Sequence, residues 1–285
     1  MAAAGRKVSR LRRSSAVKQM FSWGCEMDPM RRFKLALFDL DGTLTKERSA
    51  WEYLHRRLGV WDGYAEKFQE AFLRGEISYD RFCQLDAGIW KGMRAADLER
   101  IVREVPLYEG IEDLLSYLRS KDMKLGIISS GLSFLSDWIA EKYGFDYAVA
   151  NDLGVEEGIL NGEIRIHVYY DRKGEWVQDA QRKFNAGSEE VLAVGDSTGD
   201  VAMFQMAGLS IAFNSLSAKV DALATLSICS TDLRDLIPPL HSYLGPSGKP
   251  VGPAGRPCTG RDDHHDVAPA PKRFISENLP DDKKG

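Results

Sequence analysis

Between residues 35 and 212, apolar runs of four or five residues alternate with segments whose apolar positions recur at helical spacing. That alternation restricts the chain to an α/β fold in which parallel strands are joined by helices, a Rossmann-like doubly wound sheet. The runs predicted as strands are Leu35–Phe38, Lys124–Ile128, Tyr147–Ala150, Val191–Val194 and Leu209–Ala212. Helical spacing is carried by Ile111–Ser120, Phe134–Tyr143 and Trp176–Phe184. Residues 154–164 hold Glu157-Gly158 and Asn161-Gly162 between short apolar pieces, a turn-rich signal for a β-hairpin. No internal repeat is visible.

Residues 46–107 interrupt the alternation, being aromatic, charged and amphipathic with no convincing strand. They are expected to form a small α-helical domain inserted after the first strand, leaving 31–45 and 108–242 as the core. Residues 1–30 are expected to be a disordered basic arm, an extension ahead of a start at Met27 or Met30, or an organelle targeting segment. Arg6, Lys7, Arg10, Arg12, Arg13 and Lys18 lie there with serines and no acid before residue 26. Residues 243–285 are rich in Pro, Gly and charge and are expected to form a disordered tail, since they offer too little apolar surface to offset the entropy of ordering. Its acidic and histidine cluster at 262–266 reads as a solvated polar patch.

A chain of 285 residues, 44% hydrophobic and 28% charged, can bury a substantial core. A net charge of −4 offers no general attraction to nucleic acid, and no apolar run approaches the length needed to span a bilayer. Small-molecule partners are therefore expected. Cys25, Cys83, Cys229 and Cys258 are scattered without a CxxC pair, which argues against a zinc cluster or a disulfide framework and for a reducing cytoplasm.

Three predicted strands carry polar residues at their carboxyl ends, where open parallel sheets place their ligands. The first ends in Phe38-Asp39-Leu40-Asp41-Gly42-Thr43. Strand alternation sets Asp39 and Asp41 on one side, and two such carboxylates need a cation or a shared proton. The second ends in Ser129-Ser130-Gly131, a hydroxyl and exposed amides ahead of a helix, suited to a phosphate oxygen. The third ends in Gly195-Asp196-Ser197-Thr198-Gly199-Asp200. Carboxylates from Asp39 and Asp196 with a backbone carbonyl offer the hard oxygens that Mg²⁺ prefers, and Lys173, starting a helix, can add a positive charge.

In order and spacing these four stretches resemble the haloacid dehalogenase-like superfamily, and within it the phosphoserine phosphatase branch, from about Leu35 to Leu240. The resemblance implies a Mg²⁺-dependent phosphatase in which Asp39 is the nucleophile and Asp41 the general acid and base. It further implies phosphate binding by Ser129, Ser130, Gly131 and Lys173, and metal ligation by Asp39, the carbonyl of Asp41 and Asp196, with Asp200 in support. Residues 46–107 take the place of the family's cap, which favours a small phosphorylated metabolite as partner. Candidate specificity residues are Glu47, Arg48, Arg81 and Asp86, with Trp51, His55, Trp90 and Lys91 nearby in sequence. In a gapless overlay Arg48 falls where the branch has a glutamate and Asp86 where it has an arginine, so phosphoserine itself is not the expected substrate. Transfer to an acceptor alcohol, and a non-catalytic binding role on the same fold, are the competing expectations; loss of Asp39, Asp41, Lys173 or Asp196 would mark the latter, and none is lost.

Overall fold

The computed structural model describes residues 33–244, so the arm, the far tail and the cluster at 262–266 lie outside the described residues. In chain order, β1 (Leu35–Phe38) is followed by four helices, α1 (Ala50–Arg57), α2 (Glu66–Leu73), α3 (Tyr79–Ile89) and α4 (Ala95–Val102). Then come α5 (Ile111–Arg119), β2 (Lys124–Leu132), α6 (Ser133–Tyr143), β3 (Tyr147–Glu156), β4 (Ile159–Arg165), α7 (Lys173–Phe184) and β5 (Val191–Gly195). The chain continues through α8 (Val201–Gln205), β6 (Leu209–Phe213), α9 (Ala218–Leu223), β7 (Leu226–Ile228) and α10 (Ile237–Leu244). Tyr243 and Leu244 thus extend the last helix two residues past the expected end of the core.

The sheet runs β4-β3-β2-β1-β5-β6-β7, and only β4 is antiparallel to its neighbour. Strand β1 is central, and its fully buried residues explain both layers. Leu35 and Leu37 face Val177 and Ala180 of α7, Met203 of α8 and Val220 of α9. Ala36 and Phe38 belong to the opposite layer with Leu114 and Leu118 of α5, Ile139 of α6 and Leu240 of α10. A strand with helices on both sides has no polar face, which is why β1 reads as an unbroken apolar run.

Helices α1 to α4 lie between β1 and α5 in sequence. Their interior is aromatic: Trp51 stacks on Trp90 at 5.2 Å and 12°, and Phe72 on Phe82 at 5.1 Å and 14°. Ser49 and Ser78 start α1 and α3 by accepting hydrogen bonds from the amides of Glu52 and Arg81. The two chain crossings that bound this segment pair with each other, Thr45 opposite Leu107, with the Lys46 amide donating to the Pro106 carbonyl at 2.8 Å. At its far side, residues 92–95 pair with the β3–β4 hairpin. The Gly92 amide donates to the Leu160 carbonyl, the Leu160 amide to the Met93 carbonyl and the Ala95 amide to the Gly158 carbonyl, at 2.8, 2.8 and 2.9 Å.

No described helix is long and apolar enough to cross a membrane. Among the described residues Cys83 is a free, buried thiol.

Candidate active site

The carboxyl ends of β1, β2 and β5 converge because the three strands are adjacent in the sheet. The Asp39 amide donates to the Val194 carbonyl at 2.9 Å, which continues the β1–β5 pairing one residue past the end of the strand. Beyond it the chain turns sharply through Gly42, whose φ is +79°. A Cβ there would lie 2.3 Å from Asp196 Oδ2, so glycine is needed both for the turn and for the approach of the third strand's carboxylate. On β2, regular pairing with β3 lapses between Ile128 and Leu132, and Ser129, Ser130 and Gly131 occupy that lapse.

Asp39, Asp196 and Asp200 are buried, with one carboxylate oxygen from each within 4.8 Å of the others. Lys173, the first residue of α7 and only 2% exposed, places its Nζ 2.6 Å from Asp39 Oδ1 and 2.7 Å from Asp200 Oδ1. Burial alone would lower the lysine's pKa, but Asp200 and Asp39 hold it above the ordinary value and therefore charged. Asp200 Oδ2 accepts from the amides of Asp196 and Ser197 at 3.0 Å and from the Ser197 hydroxyl at 3.1 Å. Both its oxygens are committed to protein donors, so Asp200 fixes the β5 loop and orients Lys173.

The remaining carboxylates are short of positive charge. Desolvation, followed by the charge of Asp200, pushes Asp39 up to about 7 despite Lys173. Burial lifts Asp41 to about 6, even though it accepts a hydrogen bond from the Ala50 amide. Asp196 is held well above the usual carboxylate range by burial and then by Asp39 and Asp200. Asp41 Oδ1 is buried without a hydrogen-bond partner. A set of hard oxygens this crowded, with two cationic side chains in contact, fits a divalent cation held by Asp39 and Asp196.

The specificity candidates separate. The Arg48 guanidinium is 41% exposed and reaches Asp196 Oδ2 at 2.7 Å and the Asn214 carbonyl. Glu47 is close enough to Asp41 to oppose its ionisation. Asp86 is buried against His55, with Oδ2 3.5 Å from Nε2, and does not join the carboxylate cluster. Arg81 is exposed on α3. Trp51, His55 and Trp90 are packed together inside the helical insertion.

Two residues at the site escaped sequence reasoning. The Tyr79 hydroxyl and the Asn151 side chain both reach the Ser130 carbonyl, at 2.9 Å each. An asparagine within an apolar strand was the available signal for the latter; nothing local marks Tyr79.

The residues from Ala36 to Gln205 match the model of the haloacid dehalogenase-like hydrolases. The chain belongs to that family. It is 30% identical over 210 residues to a phosphoserine phosphatase of Methanocaldococcus jannaschii, covering 73% of this chain and 97% of that one. It is 35% identical over 185 residues to a phosphoserine phosphatase of Archaeoglobus fulgidus, covering 65% of this chain but only 53% of that one, so it spans about half of the latter's length. A solved structure described as a phospho-aspartyl intermediate analogue of phosphoserine phosphatase superposes with a TM-score of 0.64 at 27% identity, covering 73% of this chain and 98% of that one. Within the family, the chain is therefore a phosphoserine phosphatase-like hydrolase.

Proposed function

We propose that this chain is a Mg²⁺-dependent phosphatase of small phosphomonoesters, acting through an aspartyl phosphate on Asp39. The observation that carries the reading is Lys173 held between Asp39 and Asp200 beneath the convergent strand ends, with Asp41 and Asp196 on the same edge. An Asp39 carboxylate oxygen attacks phosphorus and the ester P–O bond breaks. Asp41 gives its proton to the departing alcohol, then takes one from a water whose oxygen attacks the phosphoryl group, releasing phosphate and restoring Asp39. Lys173, the Ser129 hydroxyl, itself held by the Gly131 amide, and the Ser130 amide hold the equatorial phosphoryl oxygens. A Mg²⁺ bound by Asp39 and Asp196, with the Asp41 carbonyl, supplies further neutralisation of phosphate charge. Residues 46–107 act as the cap that excludes bulk water. The setting that suits such an enzyme is the cytoplasm, with a small metabolite as partner and neither nucleic acid nor membrane.

The substrate we propose is not phosphoserine. Of the two cap positions expected to hold the ammonium and carboxylate of that zwitterion, one carries Arg48, which leans on Asp196, and the other carries Asp86, which is engaged by His55. Neither offers the complementary charge, and like charges brought together in an enclosed site are strongly unfavourable. Comparing kcat/KM for phosphoserine with phosphorylated sugars, alcohols and nucleotides tests this, and a hundredfold preference for phosphoserine overturns it. Release of free phosphate, measured with and without EDTA and with added acceptor alcohols, tests the reaction itself. Indifference to the chelator overturns the metal-dependent mechanism, and phosphate appearing on the alcohol in place of water overturns hydrolysis.

A further inference from the structure

The Ser130 carbonyl is held from two sides. From the core, Asn151 Nδ2 donates to it at 2.9 Å; from the helical insertion, the Tyr79 hydroxyl donates at 2.9 Å. Asn151 is fully buried and its orientation is fixed, because Oδ1 accepts from the amides of His167 and Val168 at 2.9 Å each, which leaves its NH₂ to face Ser130 and, at 3.3 Å, the Tyr79 oxygen. Tyr79 opens α3, and its neighbour Asp80 accepts a hydrogen bond from the Tyr169 hydroxyl at 2.8 Å, so that end of the helix is fastened to the core twice.

The Ser130 carbonyl and the Gly131 N–H belong to one planar trans peptide and point in opposite directions. Fixing the carbonyl therefore aims the N–H. Gly131 N donates to Ser129 Oγ at 2.9 Å, and a Cβ on Gly131 would stand 2.8 Å from Asp41 Oδ2, so this amide lies beside the general acid. We propose that Tyr79 is a positioning residue: its hydroxyl, delivered by the helical insertion, locks the Ser130–Gly131 peptide with its N–H on Ser129 Oγ and so sets the hydroxyl that donates to the transferring phosphoryl group, so that closing the cap completes the phosphate site. This rests on the phosphatase reading above. Burial keeps the Tyr79 pKa well above its usual value, so the hydroxyl remains a neutral donor across ordinary assay conditions.

The test is Tyr79→Phe in the full chain, which removes one oxygen and leaves the ring packing. Removing an oxyanion donor outright costs about 100- to 1000-fold; loosening one that remains should cost about tenfold. The expected result is a fall of about tenfold in kcat on p-nitrophenyl phosphate and a comparable weakening of inhibition by orthovanadate, with the melting temperature unchanged. Tyr169→Phe loosens the same helix end without touching Ser130, and should stay within about twofold of wild type in kcat. Gly131 amide exchange and chemical shift, followed by NMR in the two variants, should change in Tyr79→Phe alone. Equal kcat and vanadate inhibition in Tyr79→Phe and wild type, or equal losses in the two variants, overturn the proposal while leaving the phosphatase reading intact. If wild type hydrolyses no phosphomonoester, that reading fails, and the Gly131 amide still decides whether Tyr79 sets the peptide: an unchanged signal overturns the proposal.

Discussion

Lys173 and Asp39 form an ion pair at 2.6 Å with both side chains almost wholly removed from water. A buried pair of this kind contributes little net stability while intact, yet breaking it is costly because a carboxylate is left without its cation. Lys173→Met strands Asp39 and Asp200 together, and we expect a loss of about 3–5 kcal/mol in metal-free stability. Activity should fall by about 1000-fold. Denaturant unfolding and p-nitrophenyl phosphate hydrolysis measure the two effects. Adding Asp39→Asn to Lys173→Met should recover part of the stability and none of the activity, and full additivity of the two stability changes would show that the pair is not coupled.

Asp39→Asn alone should abolish turnover and leave the fold intact, because an amide is a poor nucleophile and a weaker metal ligand. Hydrolysis of p-nitrophenyl phosphate with and without EDTA, beside a circular dichroism spectrum, checks it. Wild-type rates from the variant would remove Asp39 from the mechanism.

Burial places Asp41 at about 6, so its proton is available to a leaving oxygen below that pH and is lost above it. An alkyl alcohol needs that proton to depart, whereas p-nitrophenolate does not. The ratio of the rate on an alkyl phosphate to that on p-nitrophenyl phosphate, in which the ionisation of Asp39 cancels, should therefore fall as pH rises through about 6; parallel profiles would contradict the assignment.

The same group makes a stability prediction. Its folded pKa lies above its unfolded value of 3.8, so the folded state binds more protons between 3.8 and about 6, and stability is lost as pH rises through that window. Asp41→Asn escapes the loss and should gain up to about 3 kcal/mol relative to metal-free wild type between pH values of roughly 4 and 7. Urea unfolding at the two pH values measures it, and a constant difference would refute the prediction.

Gly42→Ala forces a Cβ to within 2.3 Å of Asp196 Oδ2 at a φ of +79°. Asp196 must move, so we expect a raised Mg²⁺ requirement and about 100-fold less activity, with a stability cost of only about 1 kcal/mol from the left-handed backbone. A Mg²⁺ titration of activity, set against thermal melting, separates these effects.

The central strands were legible because burial on both faces leaves no polar residue to interrupt Leu35–Phe38 or Val191–Val194. Strand β2 was read four residues short, since Ser129-Ser130-Gly131 looks like a loop and its pairing does lapse there. The three residues of β7 carry too little pattern to be seen. In the hairpin, Glu157 and Gly158 make the turn, whereas Asn161-Gly162 lies within β4. The residues proposed for phosphoryl transfer were legible because each ends a recognisable strand or starts a helix. The contacts of Arg48 with Asp196 and of Tyr79 with Ser130 were not, because they join positions 148 and 51 residues apart whose meeting depends on how the helical insertion settles on the sheet.

The hairpin that pairs with residues 92–95 is rooted in the sheet through β3, while its partner segment belongs to the insertion between the paired crossings at Thr45 and Leu107. A swing of the helices about those crossings must either bend the β-ribbon or break three backbone hydrogen bonds. A ribbon clamped at one end behaves as a leaf spring, opposing the swing and hastening its return. On the phosphatase reading, the dwell time of the open form, and with it the interval available for product to leave, would then be set by a strip of polypeptide remote from the carboxylate cluster.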